Sequence, residues 1–355
     1  MNVHIKHRPP GQAPQAEDIA HFMQILSCVP NVQTACWMGA EFLAKLSPED
    51  VQETTVALSH VHPFFLPDLD GAQAEQYQLN LGQFAEMALQ ARLTANRTKN
   101  VNVLVAGTPK SAATFIGSAV RKGLGLRSAN LVSMAYSDYS ASLFGANLSS
   151  KELDELALQR HGLEQRGYVA QHQVLCTPYV ARQMALYGIR PIITTRNFFD
   201  SLISMDDALM ETRAVQTAAG ESFFDDGMPA CYQDLHFEDR LHLLVDAKAI
   251  WYAQFLTSWQ KCAAIGQIKP LWISYEMDIL GDPSRLAEKI AEFISDNQAK
   301  AISDALTAEH RESETWTAKG LERRGQLVSS SIRQRALAIF ERYAGDADLK
   351  CLIGE

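Results

Sequence analysis

No apolar run in the 355 residues approaches the ~20 needed to cross a bilayer, so no transmembrane segment is expected. The opening MNVHIKHRPPGQAPQAED carries basic residues with no apolar stretch behind them, which is not the pattern of a secretory signal. The cysteines (Cys28, Cys36, Cys176, Cys231, Cys262 and Cys351) form no C-x-x-C and no paired spacing. That argues against a disulfide framework or a zinc ribbon, and for free thiols in a reducing compartment. A cytoplasmic location is therefore expected. Positive charge is also scarce: Lys and Arg number 32 against 41 Asp and Glu, a net charge of −9. This balance removes the broad basic footprint of a nucleic-acid binder, while leaving room for a local basic pocket. There is no internal repeat and no low-complexity tract. With 47% hydrophobic and 21% charged residues the composition is that of a globular protein with a sizeable core.

Three zones follow along the chain. Residues 1–17 are rich in Pro, Gln and Gly and read as a mobile arm. Residues 18–98 read as a helical N-terminal region: Ile19, Phe22, Met23, Leu26 and Val29 recur at helical spacing, as do Phe84, Met87, Ala88 and Ala91. Ser47-Pro48-Glu49-Asp50 has the cap, first-turn proline and acids of another helix start. His60 and His62 have no Cys or carboxylate partner at ligand spacing and read as loop histidines. From 99 to 355 strand-like and helix-like runs alternate, as in a parallel sheet covered by helices. Strands are expected at 101–106, 129–136, 168–175, 189–195 and 270–275. Helices are expected near 113–123, 150–160, 178–187, 200–212 and 238–264, with a mostly helical zone at 283–345 broken near Lys319-Gly320.

The apolar run 101–106 (VNVLVA) feeds into Gly107-Thr108-Pro109-Lys110-Ser111-Ala112-Ala113-Thr114-Phe115, after which the pattern turns helical. A buried strand, a Gly/Pro turn and a helix start aim backbone N–H groups and the positive helix end at one point. Lys110 adds a full charge there. The Walker A pattern G-x-x-x-x-G-K-[ST] is absent: Lys110 follows Pro109, and no Gly-Lys-Ser/Thr triplet occurs. A phosphate-like ligand is expected, but not an ordinary ATPase.

A second stretch runs Pro191-Ile192-Ile193-Thr194-Thr195-Arg196-Asn197-Phe198-Phe199-Asp200-Ser201-Leu202-Ile203-Ser204. Arg196 ends a strand, where open α/β sheets place ligands, and Asn197 can cap the helix that follows. Ser204 lies about two helical turns further on. A guanidinium fork and a hydroxyl suit a terminal phosphate dianion. Elsewhere, Trp251, Tyr252, Phe255 and Trp259 read as one face of a helix, in the core or lining an acceptor pocket. Asp206-Asp207 and Asp225-Asp226 read as solvated acids, and His236 and His242 are left unassigned.

These residues carry a family resemblance. Thr108 to Phe115 resembles the 5′-phosphosulfate loop of sulfotransferases, T-x-P-K-S-G-T-T-W. Arg196-Asn197, Asp200 and Ser204 are similar to their 3′-phosphate motif, R-N-P-x-D-x-x-x-S. Ser274-Tyr275-Glu276-Met277-Asp278 with Asp282-Pro283 is similar to the late strand R-Y-E-D-L followed by D-P. Lys319-Gly320 with Arg323-Arg324-Gly325 resembles the R-K-G-x-x-G loop that closes over the nucleotide. The four elements stand in the family's order.

The resemblance implies an α/β fold: a central parallel sheet flanked by helices, a P-loop NTPase-like sulfotransferase core with a helical N-terminal extension. It implies 3′-phosphoadenosine 5′-phosphosulfate (PAPS) as sulfonate donor, with no metal required. Donor-site positions would be Thr108, Pro109, Lys110, Ser111, Ala112, Ala113, Thr114 and Phe115, with Phe115 replacing an aromatic that stacks on adenine. Arg196 and Ser204 would take the 3′-phosphate, helped by Lys319, Gly320 and Arg323 or Arg324. Lys110 would stabilise the bridging oxygen as the bond breaks. The family's base is commonly the His of K-T-H, and Ala170-Gln171-His172 stands in that place, so His172 is the candidate base. The chain departs from the pattern at Ala112-Ala113 and at Ala170, which remove a glycine, a hydroxyl and a cation.

The implied partner is a small-molecule, sugar or lipid acceptor, with residues 205–262 lining its site; homo-oligomerisation is left open. Two alternatives stay beside the sulfotransferase: a degenerate non-catalytic nucleotide-binding module, and a small-molecule kinase with a variant P-loop.

Overall fold

The computed structural model describes residues 81–97, 99–132, 152–163, 167–216, 228–294, 298–312 and 324–354, with isolated residues between 18 and 46. The expected arm at 1–17, the cap at Ser47, and His60 and His62 lie outside the described residues.

The run at 101–106 forms β1 (Asn102–Gly107), whose Val103 to Ala106 are fully buried. Strand alternation sends Val103 and Val105 to one face and Leu104 and Ala106 to the other. Both faces are apolar because both are covered, the condition under which an all-parallel sheet is stable. The other strands are β2 (Arg127–Ala129), β3 (Tyr168–Gln171), β4 (Ile189–Thr195) and β5 (Leu271–Ser274). They form one five-stranded parallel sheet in the order β2-β3-β1-β4-β5. The chain is thus an α/β protein, its sheet flanked by helices.

The helices are α1 (Leu81–Arg97), α2 (Ala113–Gly123), α3 (Glu155–Leu163), α4 (Pro178–Leu186), α5 (Phe198–Gln216), α6 (Phe237–Ala264), α7 (Pro283–Ile294), α8 (Ala299–Glu312), α9 (Ser330–Ala344) and the short α10 (Lys350–Ile353). One face of the sheet packs on α2, α7 and α8, through Ile116, Val120, Leu286, Ile290, Ile302 and Leu306. The other face carries a larger core, with Val180 and Met184 of α4, Phe198 and Leu202 of α5, and Phe340 of α9. Trp251, Tyr252, Phe255 and Trp259 of α6 lie in that core, as their spacing predicts. Ala91 and Ala95 of α1 join it too, and Arg92 pairs with Glu155 of α3 at 3.1 Å. Among the described residues no helix is long and apolar enough to cross a membrane.

Two strand expectations are corrected. The strand expected at 129–136 begins earlier, at Arg127, and β2 stops at Ala129. Asn130 turns the chain, its Oδ1 accepting from Val132 N at 3.1 Å, while Leu131 N donates to His172 Nε2 at 3.0 Å instead of to a strand. Residues 133–136 lie outside the described residues. The strand expected at 168–175 ends at Gln171, because Val174 N turns back to the His172 carbonyl at 3.1 Å. Helix α3 starts at Glu155 rather than 150, where Asp154 Oδ1 accepts from Ala157 N at 2.9 Å and caps it.

The strand order fixes where a ligand can sit. From β1 the chain moves toward β2 on one side of the sheet, and from β4 it moves to β5 on the other. The connections diverge between β1 and β4, which are hydrogen-bonded neighbours. Such a switch point opens a crevice outside the carboxyl ends of its two strands.

Candidate functional site

Gly107 and Thr194 face each other in the register of β1 and β4. A Cβ at Gly107 would stand 2.0 Å from Thr194 Oγ1 and 2.7 Å from Ser111 Oγ, so only glycine fits. The space it leaves is used by hydrogen bonds. Thr108 N donates to Thr194 O at 3.1 Å, and Ser111 Oγ lies 2.7 Å from Thr194 Oγ1 and 2.5 Å from Thr108 O. Tyr252 of α6 donates to Pro109 O at 2.8 Å and fixes the crest of the loop.

Lys110 and Ala112 have φ of 63° and 66°, and among the described residues they are the only non-glycines with positive φ. Left-handed residues alternating with ordinary ones curl the backbone so that successive N–H groups converge, the nest that binds anions. Helix α2 begins at Ala113, and its first N–H groups have no intrahelical acceptor and face the same concavity. The Thr108 hydroxyl is buried and, among the described residues, lacks a hydrogen-bond partner. The Lys110 side chain touches solvent, yet surrounding protein atoms strip part of its hydration and lower its pKa. Glu211 and Asp207 oppose that shift, and the Arg196 charge adds to it.

Arg196 follows β4 and is buried. Its Nη1 donates to the Lys110 carbonyl at 3.1 Å, joining the two sequence motifs across the switch point. Its guanidinium lies 4.1 Å from the centroid of the Tyr275 ring, a cation–π contact that holds the plane of the fork. Asn197 caps α5 as expected: Oδ1 accepts from Phe199 N at 2.9 Å and Asp200 N at 3.2 Å. Glu276 accepts from Asn197 N at 2.8 Å. Tyr275 and Glu276, in the stretch after β5, thus buttress the Arg196 corner.

Asp200 Oδ1 accepts from Gly325 N at 2.5 Å, and a Cβ at Gly325 would meet Asp200 N at 2.9 Å. The turn Arg324–Leu327 therefore lies directly on the first turn of α5. Arg333 clamps that turn by donating to Gly325 O at 2.6 Å with its guanidinium 4.3 Å from the Phe199 ring. Arg324 donates to both oxygens of Asp207, one helical turn beyond Ser204. Ser204 is half-buried. Arg324 is thus brought beside the helix that carries Ser204, whereas Lys319, Gly320 and Arg323 lie outside the described residues.

The reading of Asp206-Asp207 as solvated acids is corrected. Asp206 is buried, receives two hydrogen bonds from Arg240 at 2.7 and 2.9 Å, and accepts from Tyr232 at 2.7 Å. Its partners are remote in sequence, so no local pattern announces them. Asp225-Asp226 lies outside the described residues.

On the other side of β1, Gln171 Nε2 donates to Thr114 Oγ1 at 2.8 Å, so the end of β3 touches the first turn of α2. Phe115 and Ala113 pack partly against the core cluster of that face. His172 is half-buried, and its Nε2 accepts from Leu131 N at 3.0 Å. That bond fixes the tautomer with the proton on Nδ1 and occupies the Nε2 lone pair. Gln171 and His172 also line a cavity of about 480 Å³ that extends along β2 to Arg127, Arg160 and His161. Of residues 205–262, the described part turns its α6 aromatic face into the core and reaches the loop through Tyr252.

Among the described residues no group of three or more His, Cys, Asp or Glu is placed to hold a metal ion. Cys176, Cys231, Cys262 and Cys351 are free thiols. Compared with protein-family models, curated proteins and solved structures, the chain matches none.

Proposed function

We propose that the chain is a sulfotransferase that moves a sulfonate from PAPS to a hydroxyl or amine acceptor. The observation that carries this reading is the Arg196–Lys110 junction. An anion nest after β1 and a buried guanidinium after β4 meet at the switch point of the sheet, joined by a 3.1 Å hydrogen bond. Two separate anionic groups are served there: one by the nest, Lys110 and the α2 N-terminus, the other by Arg196 and the α5 face bearing Ser204. A 3′-phosphate and a 5′-phosphosulfate on one adenosine have that arrangement of charge.

The residues present fit the donor. The Thr108 hydroxyl is buried without a partner among the described residues, and Lys110 and Ala112 beside it adopt the left-handed conformations of an anion nest. The donor, when bound, supplies the sulfonate and a phosphate leaving group. Lys110 would stabilise the negative charge that grows on the bridging oxygen, from a loop already held by the bonds of Ser111 and Pro109. Ser111 is committed to Thr194 and Thr108, so its hydroxyl shapes the loop while its neighbours' N–H groups face the ligand. Arg196 and Ser204 orient the nucleotide, with Arg324 alongside. The acceptor's proton goes to His172, which serves only after the Leu131 N–H releases Nε2.

That held lone pair favours a second reading, a nucleotide-binding module without turnover. Calorimetric titration separates the readings. In the sulfotransferase and module readings, 3′-phosphoadenosine 5′-phosphate binds and ATP does not, and Arg196→Gln weakens the bisphosphate by about 100-fold, the range of a lost charged hydrogen bond. Binding of ATP with no binding of the bisphosphate would overturn both and favour a kinase. Turnover of labelled PAPS that disappears in His172→Ala with bisphosphate binding intact selects the enzyme.

A further inference from the structure

Thr114 stands in the first turn of α2, and its hydroxyl accepts a hydrogen bond from Gln171 Nε2 at 2.8 Å. The two residues are 57 apart in sequence, and the fold joins them because β3 pairs with β1. Gln171 follows the buried Tyr168, Val169 and Ala170 and is the exposed last residue of β3. Its side chain lies along α2: a Cβ at Gly117 would stand 3.7 Å from its Oε1 and 3.9 Å from its Cβ.

A hydroxyl has one proton to donate and two lone pairs. With the Gln171 amide on a lone pair, the Thr114 proton is left for another acceptor. The outlet a helical threonine often uses is the carbonyl four residues back. For Thr114 that is the carbonyl of Lys110, a left-handed residue ahead of the helix, which already accepts from Arg196 at 3.1 Å. Among the described residues the Thr114 hydroxyl makes no other hydrogen bond. The Gln171–Thr114 bond is exposed, so water can replace it at little cost to the fold. Its consequence is directional: an amide donating to the oxygen polarises the O–H toward the next acceptor.

We propose that Gln171 is a positioning residue of the donor site, holding the Thr114 hydroxyl as a hydrogen-bond donor to the anionic group in the nest. The hydroxyl then joins Lys110 and the unpaired first N–H groups of α2 in serving one anion. A carboxylate in place of the amide would accept the Thr114 proton and turn that donor away. The identity of the anion as the 5′-phosphosulfate rests on the sulfotransferase reading; the pairing of Gln171 with Thr114 stands on geometry.

The test is calorimetric titration of the full chain with 3′-phosphoadenosine 5′-phosphate and with adenosine 3′-phosphate, which lacks the 5′ group. Gln171→Leu is expected to weaken the bisphosphate about 5-fold and to leave adenosine 3′-phosphate within about 2-fold. A general loss of structure would weaken both. Thr114→Val should weaken the bisphosphate about 10-fold, and adding Gln171→Leu to it should change affinity by less than about 2-fold, because the two side chains act as a unit. Gln171→Glu should lose more than Gln171→Leu. Unchanged bisphosphate affinity in Gln171→Leu, equal losses with both ligands, or a full further loss on the Thr114→Val background would each overturn the role. Inorganic phosphate separates this outcome from failure of the sulfotransferase reading. If the bisphosphate does not bind but phosphate does, and phosphate weakens in Gln171→Leu, the positioning role stands and the donor assignment falls. Phosphate that binds Gln171→Leu undiminished, or does not bind the chain at all, overturns the positioning role itself.

Discussion

Two clusters of polar groups lie along one sheet, and they are built differently. At β1 and β4 the polar groups of the scaffold are matched to one another: Thr108 to Thr194, Ser111 to Thr194, Pro109 to Tyr252, Arg196 to Lys110. These bonds fix the backbone of the loop. At β2 and β3 the contacts run between side chains, with Arg127 and Arg160 each against a nitrogen of the His161 ring. The first arrangement suits the proposed donor, whose phosphates must be positioned in line, since a preorganised site spends no energy on reorganisation. The ends of α3 repeat the lesson within one helix. At its start, burial raises the Glu155 pKa, but hydrogen bonds from Tyr187 and Gln183 and the Arg92 charge outweigh that and hold it low. At its end sit Arg160 and His161, facing the cavity.

The largest effect should come from filling the matched side. Gly107→Ala drives a methyl into Thr194 Oγ1 and Ser111 Oγ, and is expected to cost about 3 kcal/mol or more and to abolish bisphosphate binding. Arg127→Gln on the β2 side changes a half-buried residue of an edge strand and should change stability by less than about 1 kcal/mol. Urea midpoints of both variants measure the difference. Similar losses in the two would erase the distinction between the two clusters.

Much of the matched side was legible in the chain because its parts are local. The strand, turn and helix around Gly107, and Arg196 with its Asn197 cap, each lie within a few residues and carry their own signals. Helix α2 falls where its periodicity places it. What local pattern could not reveal are partners brought by the fold: Tyr252 on Pro109, Arg333 on Gly325, and Arg240 on Asp206. The Asp206-Asp207 pair looked solvated for that reason. The cavity was hidden in the same way, since Arg127, Arg160 and His161 are unremarkable until β2 and α3 converge. A signal was present in Arg160-His161, two cationic-type residues at the end of a helix, but such residues are ordinary helix-end companions.

A pH titration sharpens the comparison on the donor side. Lost hydration lowers the Lys110 pKa from its ordinary 10.5, helped by Arg196 and opposed by Glu211 and Asp207. Between the lowered and ordinary values the unfolded chain binds more protons at this residue than the folded one. Its contribution to stability therefore rises with pH across that window. Anion binding has the opposite sign, since the bound anion favours the ammonium. Bisphosphate affinity is expected to fall by about 10-fold as Lys110 deprotonates, and Lys110→Met should flatten that part of the profile. An unchanged profile in Lys110→Met would remove Lys110 from the site.

The smallest effect concerns Ala112, which stands where the sulfotransferase pattern has glycine and adopts a left-handed conformation, φ 66° and ψ 25°. An L-residue there is strained by roughly 1–2 kcal/mol, and glycine relieves that at some cost in unfolded-state entropy. Ala112→Gly is expected to stabilise the protein by about 0.5–1 kcal/mol, read as a higher urea midpoint. Its effect on bisphosphate affinity should stay within about 2-fold, because preorganisation already comes from the flanking bonds of Ser111 and Pro109. The alanine would then be a tolerated strain in a cradle whose geometry is set from outside. A gain of tenfold or more would mean that Ala112 itself holds the nest short of its binding geometry, and that the matched side is matched only to its own scaffold.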